Sequence, residues 1–135
     1  MAGMVFGMKV RRTIIVFDAP DLAVESEFWA GLLGGEVDAE DDWHSVTVDG
    51  EWKLGFQLAP DHVPPVWPTP EGAQQQQVHV DLWVDDLQEA HERAVSLGAR
   101  LLRPSSDPDA DEQFQVYADP AGHPFCLSWA ARDHD

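Results

Sequence analysis

The residues best placed to do chemistry lie in one short stretch, Val78-His-Val-Asp-Leu-Trp-Val84. Successive side chains of a β-strand point to opposite faces. Val78, Val80, Leu82 and Val84 therefore share one face, suited to packing under a helix, while His79, Asp81 and Trp83 share the other. That second face pairs an imidazole with a carboxylate two residues on, a combination that can move a proton. It also sets an indole beside them, which can stack on a flat or cationic partner. Ordinary structural roles stay open: His79 as a half-buried histidine bonded to backbone or to Asp81, and Asp81 as an ion-pair partner of Arg11, Arg12 or Lys53. His79 and Asp81 are the candidates for catalysis, and the residues assign no catalytic role beyond them.

The same alternation places other side chains around this group. In Phe125-Cys-Leu-Ser-Trp129 it buries Phe125, Leu127 and Trp129 and turns Cys126 and Ser128 toward the groove. No evident cation lowers the Cys126 thiol pKa, so it reads as a small buried hydrophobe rather than a nucleophile. In Lys53 to Leu58 the pattern buries Leu54, Phe56 and Leu58 and points Gln57 inward. Thr13, Ile15 and Phe17 are the expected first-half counterparts of His79, Asp81 and Trp83, at an offset of 66.

These strands belong to a sequence that says nearly the same thing twice. Leu22 and Leu87 lie 65 positions apart, as do Leu32 and Leu97, and Phe56 and Phe125 lie 69 apart. Each half reads as a strand, an Asp that can cap a helix, an amphipathic helix closed by glycine, and further strands. The first half runs from a β-branched stretch through Asp21, a helix ending at Leu32-Leu33-Gly34, an acidic turn Asp38 to Asp42, and a hairpin around Asp49-Gly50. The second runs through strand 78–84, helix 86–97, a short strand near 99–102, an acidic loop 107–112, and strands 113–118 and 123–129. Pro60, Pro64, Pro65, Pro68, Pro70 and Gly72 mark the stretch between them as a linker. A repeat of this length is one supersecondary unit doubled. The expectation is an α+β fold: one domain over residues 1–135, with module 1 at about 10–59, linker 60–77 and module 2 at about 77–130. Two tandem βαβββ modules would form an open, incomplete barrel around a central groove, with helices on the outer faces and a core in each module.

Six tryptophans in 135 residues exceed what an ordinary core needs. Trp29 and Trp129 fit core faces, and Trp52 falls on an apolar face. Trp43 alternates with Ser45 and Thr47, Trp83 shares the face of His79, and Trp67 sits in the Pro-rich linker where its ring could close over the groove or simply pin the linker. An aromatic groove with carboxylates nearby suits a flat or cationic organic ligand. The expected ligand-binding set is thus Thr13, Trp43, Gln57, Trp67, His79, Asp81, Trp83 and Cys126.

The formal net charge is −17, from 25 acidic and 8 basic residues. It disfavours nucleic acid and anionic membrane as partners, since phosphate backbones are bound chiefly through Lys and Arg. One cysteine permits no intrachain disulfide, and Met1 to Lys9 lacks the apolar stretch of a signal peptide, so a cytoplasmic location is expected. No run is long enough to span a bilayer.

Val78-His-Val-Asp-Leu-Trp-Val-Asp-Asp-Leu87, the helix end Leu97-Gly-Ala99 and Tyr117-Ala-Asp-Pro-Ala-Gly-His-Pro-Phe-Cys-Leu127 resemble the vicinal oxygen chelate superfamily. This superfamily groups glyoxalases, bleomycin-resistance proteins and extradiol dioxygenases. With the weaker first-half copy, the resemblance runs from Thr13 to Trp129. Trp67-Pro68, the glutamine run and His79-Val-Asp81 look most like its small actinobacterial glyoxalase-like subgroup. The resemblance implies a divalent metal in the superfamily's enzymes, held by four side chains that fall here on Thr13, Gln57, His79 and Cys126. Only His79 keeps the typical ligand type, so no metal or other cofactor is expected. A divalent ion on Gln57, His79 and Cys126 is the weaker alternative.

Two function classes follow. One is a metal-free module that binds and sequesters an aromatic or cationic small molecule. The other is a lyase, isomerase or dioxygenase of the glyoxalase kind, using either a metal or His79 and Asp81 as an acid–base pair. A homodimer is expected in either case, and a purely structural or regulatory dimer remains a third possibility.

Overall fold

The structure is a computed structural model and describes Gly3, residues 7–67 and residues 70–134. The first half forms β1 (Ile15–Ala19), α1 (Leu22–Leu33), β2 (Glu36–Ala39), β3 (Trp43–Val48) and β4 (Glu51–Leu58). The second forms β5 (Val80–Trp83), α2 (Leu87–Leu97), β6 (Arg100–Arg103), β7 (Glu112–Ala118) and β8 (Pro124–Ala130), followed by a 3₁₀ turn, Ala131–His134. The two sheets have the same order, β1-β4-β3-β2 and β5-β8-β7-β6. Each opens with a parallel pair, β1 on β4 and β5 on β8, and continues antiparallel. This is the α+β, doubled βαβββ arrangement expected, with the sheets unclosed. No described helix is long and apolar enough to cross a membrane.

Local chemistry sets the helix limits in both copies. Asp21 accepts the Val24 N–H at 3.2 Å and Asp86 accepts the Glu89 N–H at 3.0 Å. Each satisfies one of the donors a helix start leaves unpaired. Gly34 (φ 72°) and Gly98 (φ 119°) end the helices in left-handed geometry that a β-carbon would oppose. The acidic turn is shorter than expected, because Asp38 and Ala39 pair with Ser45 and His44 as the end of β2.

The core is one cluster, not one per module. Trp29 of α1 stacks on Phe17 at 5.2 Å and meets Phe125 of the second sheet edge-on at 5.3 Å. Phe28 also reaches Phe125, at 5.8 Å. Helix α1 therefore lies between the first sheet and β8 rather than covering only an outer face. The buried residues Phe17, Val46, Phe56, Ala94, Tyr117 and Leu127 join the same cluster. Leu58, expected inside, is exposed at the end of β4.

Polar groups also tie the modules together. The Trp29 indole N–H donates to Asp119 Oδ2 at 2.9 Å, and Asp119 Oδ1 accepts from the backbone of Ala121 and His123. The Ala121 N–H also reaches Glu25 Oε1 at 3.1 Å, while Glu25 Oε2 is buried with no donor among the described residues. Burial first, then the neighbouring Asp119, pushes the Glu25 carboxyl up to about 10, so at neutral pH it holds a proton that it can offer to Asp119.

Candidate functional site

The second sheet carries the group read from the sequence. Parallel pairing matches Asp81 with Cys126 and Trp83 with Ser128, and the antiparallel β7 adds Val116 and Phe114 opposite Cys126 and Ser128. Cross-strand partners share a face, so His79, Asp81, Trp83, Cys126, Ser128 and Phe114 look the same way, opposite Val80, Leu82, Phe125 and Leu127. His79 Nε2 lies 3.2 Å from Asp81 Oδ1. The Trp67 ring lies over the His79 imidazole at 5.1 Å, tilted 32°. Together with Glu112 and Gln113 these residues line a groove of about 300 Å³.

Of the eight expected ligand-binding residues, Trp67, His79, Asp81, Trp83 and Cys126 meet in this groove and three do not. Thr13 instead lies among Ile15, Trp29, Leu33, Val80 and Leu82, at the apolar seam beside α1. The offset of 66 is the reason. The caps Asp21 and Asp86 are 65 apart, which aligns His79, Asp81 and Trp83 with Ile14, Val16 and Asp18, while Phe17 stacks inward on Trp29. Trp43 and Gln57 are register partners on the first sheet. The Trp43 ring fills the space over Gly55, where no side chain would fit. Its Nε1–H donates to Ser45 Oγ at 2.9 Å, and it meets Trp52 edge-on at 6.4 Å. Gln57 is exposed beside it and does not line the groove of His79.

Sequence reasoning missed Glu112, Phe114 and Arg132. Phe114 stands half exposed on the groove wall. Arg132, in the terminal 3₁₀ turn, sets its guanidinium 5.7 Å from the Trp83 ring and bonds Glu112 at 2.9 Å. Continuing the strand alternation to the start of β7 would have found Glu112 and Phe114. Arg132 lies beyond the last strand and had no such signal.

The electrostatics are those of a neutral thiol among acids. Burial, then the Asp81 carboxylate and its hydrogen bond, pushes Cys126 up to about 12. The donor atoms of His79, Asp81 and Cys126 nevertheless lie within 4.8 Å of one another. An imidazole, a carboxylate and a thiol at that spacing match the three protein ligands of an open zinc site. The donor set thus fits a divalent ion, with Asp81 where Gln57 was considered.

Residues 14–128 match the family described as glyoxalase-like domain. No curated protein matches the chain in sequence. Among solved structures, the fosfomycin resistance protein FosX from Mesorhizobium loti superposes with a TM-score of 0.66 at 15% identity, covering 98% of this chain and 100% of that one. A glyoxalase/bleomycin resistance protein/dioxygenase family enzyme from Burkholderia phytofirmans PsJN gives 0.66 at 12%, covering 87% and 96%. A glyoxalase-related enzyme from Fulvimarina pelagi gives 0.63 at 19%, covering 90% of each chain. At these identities the likeness concerns the fold.

Proposed function

The chain belongs to the glyoxalase-like domain family, and from that premise we propose that it is a small-molecule binding protein that sequesters an aromatic or cationic compound without needing a metal. One observation carries this reading: Trp67 lies over His79 in a groove that also presents Trp83, Phe114 and the carboxylates of Asp81 and Glu112. Aromatic faces beside carboxylates attract a flat cation by stacking, cation–π attraction and charge. The proposed contact set is Trp67, His79, Asp81, Trp83 and Cys126, joined by Glu112 and Phe114. We take the protein to act in the cytoplasm as a homodimer, each chain a single domain of two modules. A fluorescence screen of cationic and neutral aromatic compounds tests the binding, with native mass spectrometry reporting assembly and co-purified ligand. Absence of any saturable tryptophan response would refute it.

A second reading is favoured by the 4.8 Å cluster of His79, Asp81 and Cys126. In it the protein is an enzyme of the glyoxalase-like kind, a lyase, isomerase or dioxygenase. A divalent ion held there would supply Lewis-acid polarisation of a substrate oxygen. Without one, His79 and Asp81 remain an acid–base pair at 3.2 Å, with Trp67 limiting water above the imidazole. Metal analysis separates these cases. Stoichiometric zinc or iron, lost in His79→Ala, favours the enzyme, as does a thiolate charge-transfer band on adding cobalt.

A further inference from the structure

A second cavity, about 380 Å³, opens between the linker and the neighbouring edges of β1 and β5. Asp18, His62, Gln76 and His123 line it, with Val63, Val80 and Pro124 as apolar walls. It shares none of its lining residues with the groove of His79.

Its polar groups are biased toward accepting hydrogen bonds. His123 Nε2 lies 2.7 Å from the Asp18 carbonyl oxygen, and His62 Nε2 lies 3.0 Å from the Ala121 carbonyl oxygen. A carbonyl only accepts, so both rings carry their proton on Nε2, and in the neutral rings Nδ1 is left as an acceptor. Neither Nδ1 has a partner among the described residues. The rings lie 4.9 Å apart in tilted contact, each oriented by its bond to a carbonyl oxygen. Gln76 lines the cavity, but its Oε1 is buried with no donor among the described residues, a desolvation cost that a turn of the amide toward a donor in the cavity would relieve. Among the described residues the Asp18 side chain has no ion pair, and no Lys or Arg lines the cavity to neutralise it. The other glutamines on the wall can donate or accept and decide nothing.

We infer that this cavity binds an organic cation bearing N–H donors, of the amidinium or primary ammonium class. The charge of such a ligand answers Asp18, its N–H groups answer Gln76 Oε1 and the two imidazole Nδ1 atoms, and its apolar body lies against Val63, Val80 and Pro124. An anion would meet an unpaired carboxylate and three acceptors. The site is separate from the groove and does not depend on the function proposed for it.

Benzamidine is a suitable probe, with benzoate as its anionic counterpart, read through the ring ¹⁵N resonances of His62 and His123. The expected result is a saturable shift of both rings with benzamidine and none with benzoate. Asp18→Asn and Gln76→Leu should each raise the dissociation constant about tenfold, the scale of one lost charge-assisted hydrogen bond. Because neither side chain makes an ion pair among the described residues and Gln76 Oε1 has no partner among them, the two variants check each other. Equal shifts with benzoate, unchanged affinity in both variants, or shifts confined to the Trp67 and Trp83 indoles would overturn the inference.

Discussion

Asp81 and Cys126 are register partners across the parallel pair of β5 and β8, and the carboxylate holds the thiol proton in place. The consequence is an unreactive cysteine, since the thiolate is the nucleophile. With its pKa pushed up to about 12, Cys126 should alkylate far more slowly than a free thiol at pH 8. Asp81→Asn removes the charge and leaves only a weaker amide acceptor, so it should lower the thiol pKa and speed alkylation several-fold. Burial, the larger cause, remains and keeps the thiol above its ordinary value. Iodoacetamide kinetics across pH check this.

Trp83 offers its ring to any ligand in the groove, but Arg132 already lies near it at 5.7 Å. Trp83→Ala should weaken a stacked cationic ligand by about 1–2 kcal/mol. Arg132→Ala should strengthen the same ligand by removing a resident competitor and exposing Glu112, which Arg132 binds at 2.9 Å. Raising salt should weaken a cationic ligand and leave a neutral one almost unchanged. Fluorescence titration in the three proteins reads all of these effects.

Thr13 and Gln57 stand outside the groove of His79, so Thr13→Ala and Gln57→Ala should leave groove affinity within about twofold. His79→Ala should weaken it and release Trp67, whose ring lies over the imidazole. Linker mobility, read from amide hydrogen exchange near residue 67, should rise only in the His79 variant.

Glu25 predicts a pH dependence of stability with a definite sign. Its folded value of about 10 lies above the ordinary 4.5, so the folded protein binds a proton that the unfolded chain releases between those values. The stabilising contribution is complete below pH 4.5 and is lost progressively as pH rises toward 10. At pH 7, 2.5 units above the ordinary value, the cost is on the order of 3 kcal/mol. Glu25→Gln keeps the neutral shape and a donor for Asp119, so it should raise the melting temperature at pH 7–9 and flatten its fall with pH.

The sequence was most readable where the two sides of an element differ in polarity. Strand β5 alternates valine and leucine with histidine, aspartate and tryptophan, so its faces could be assigned from the pattern alone. Strand β1 reads Ile-Val-Phe and is apolar on both sides, so alternation gave no phase. Its assignment slipped by one residue, which turns every side chain to the other face. The caps Asp21 and Asp86 and the closing glycines were legible because their chemistry is local. The position of Trp43 over Gly55 depends on the pairing of β3 with β4, and the contact of Arg132 with Trp83 on a turn after the last strand. The Glu25–Asp119 pair joins residues from different modules. No local pattern encodes such contacts.

The bond from Trp29 to Asp119 spans 90 residues and the bond from Ala121 to Glu25 spans 96. During synthesis, Trp29 and Glu25 therefore emerge long before the segment that covers them. At common elongation rates of about 5–20 residues per second, the first helix waits roughly 5 to 20 s with its indole uncovered. Over that interval the nascent first half is a substrate for chaperones, and a ribosome stalled in the linker would release a fragment with an exposed aromatic face. Although its halves are near copies, the chain matures from its C-terminal end.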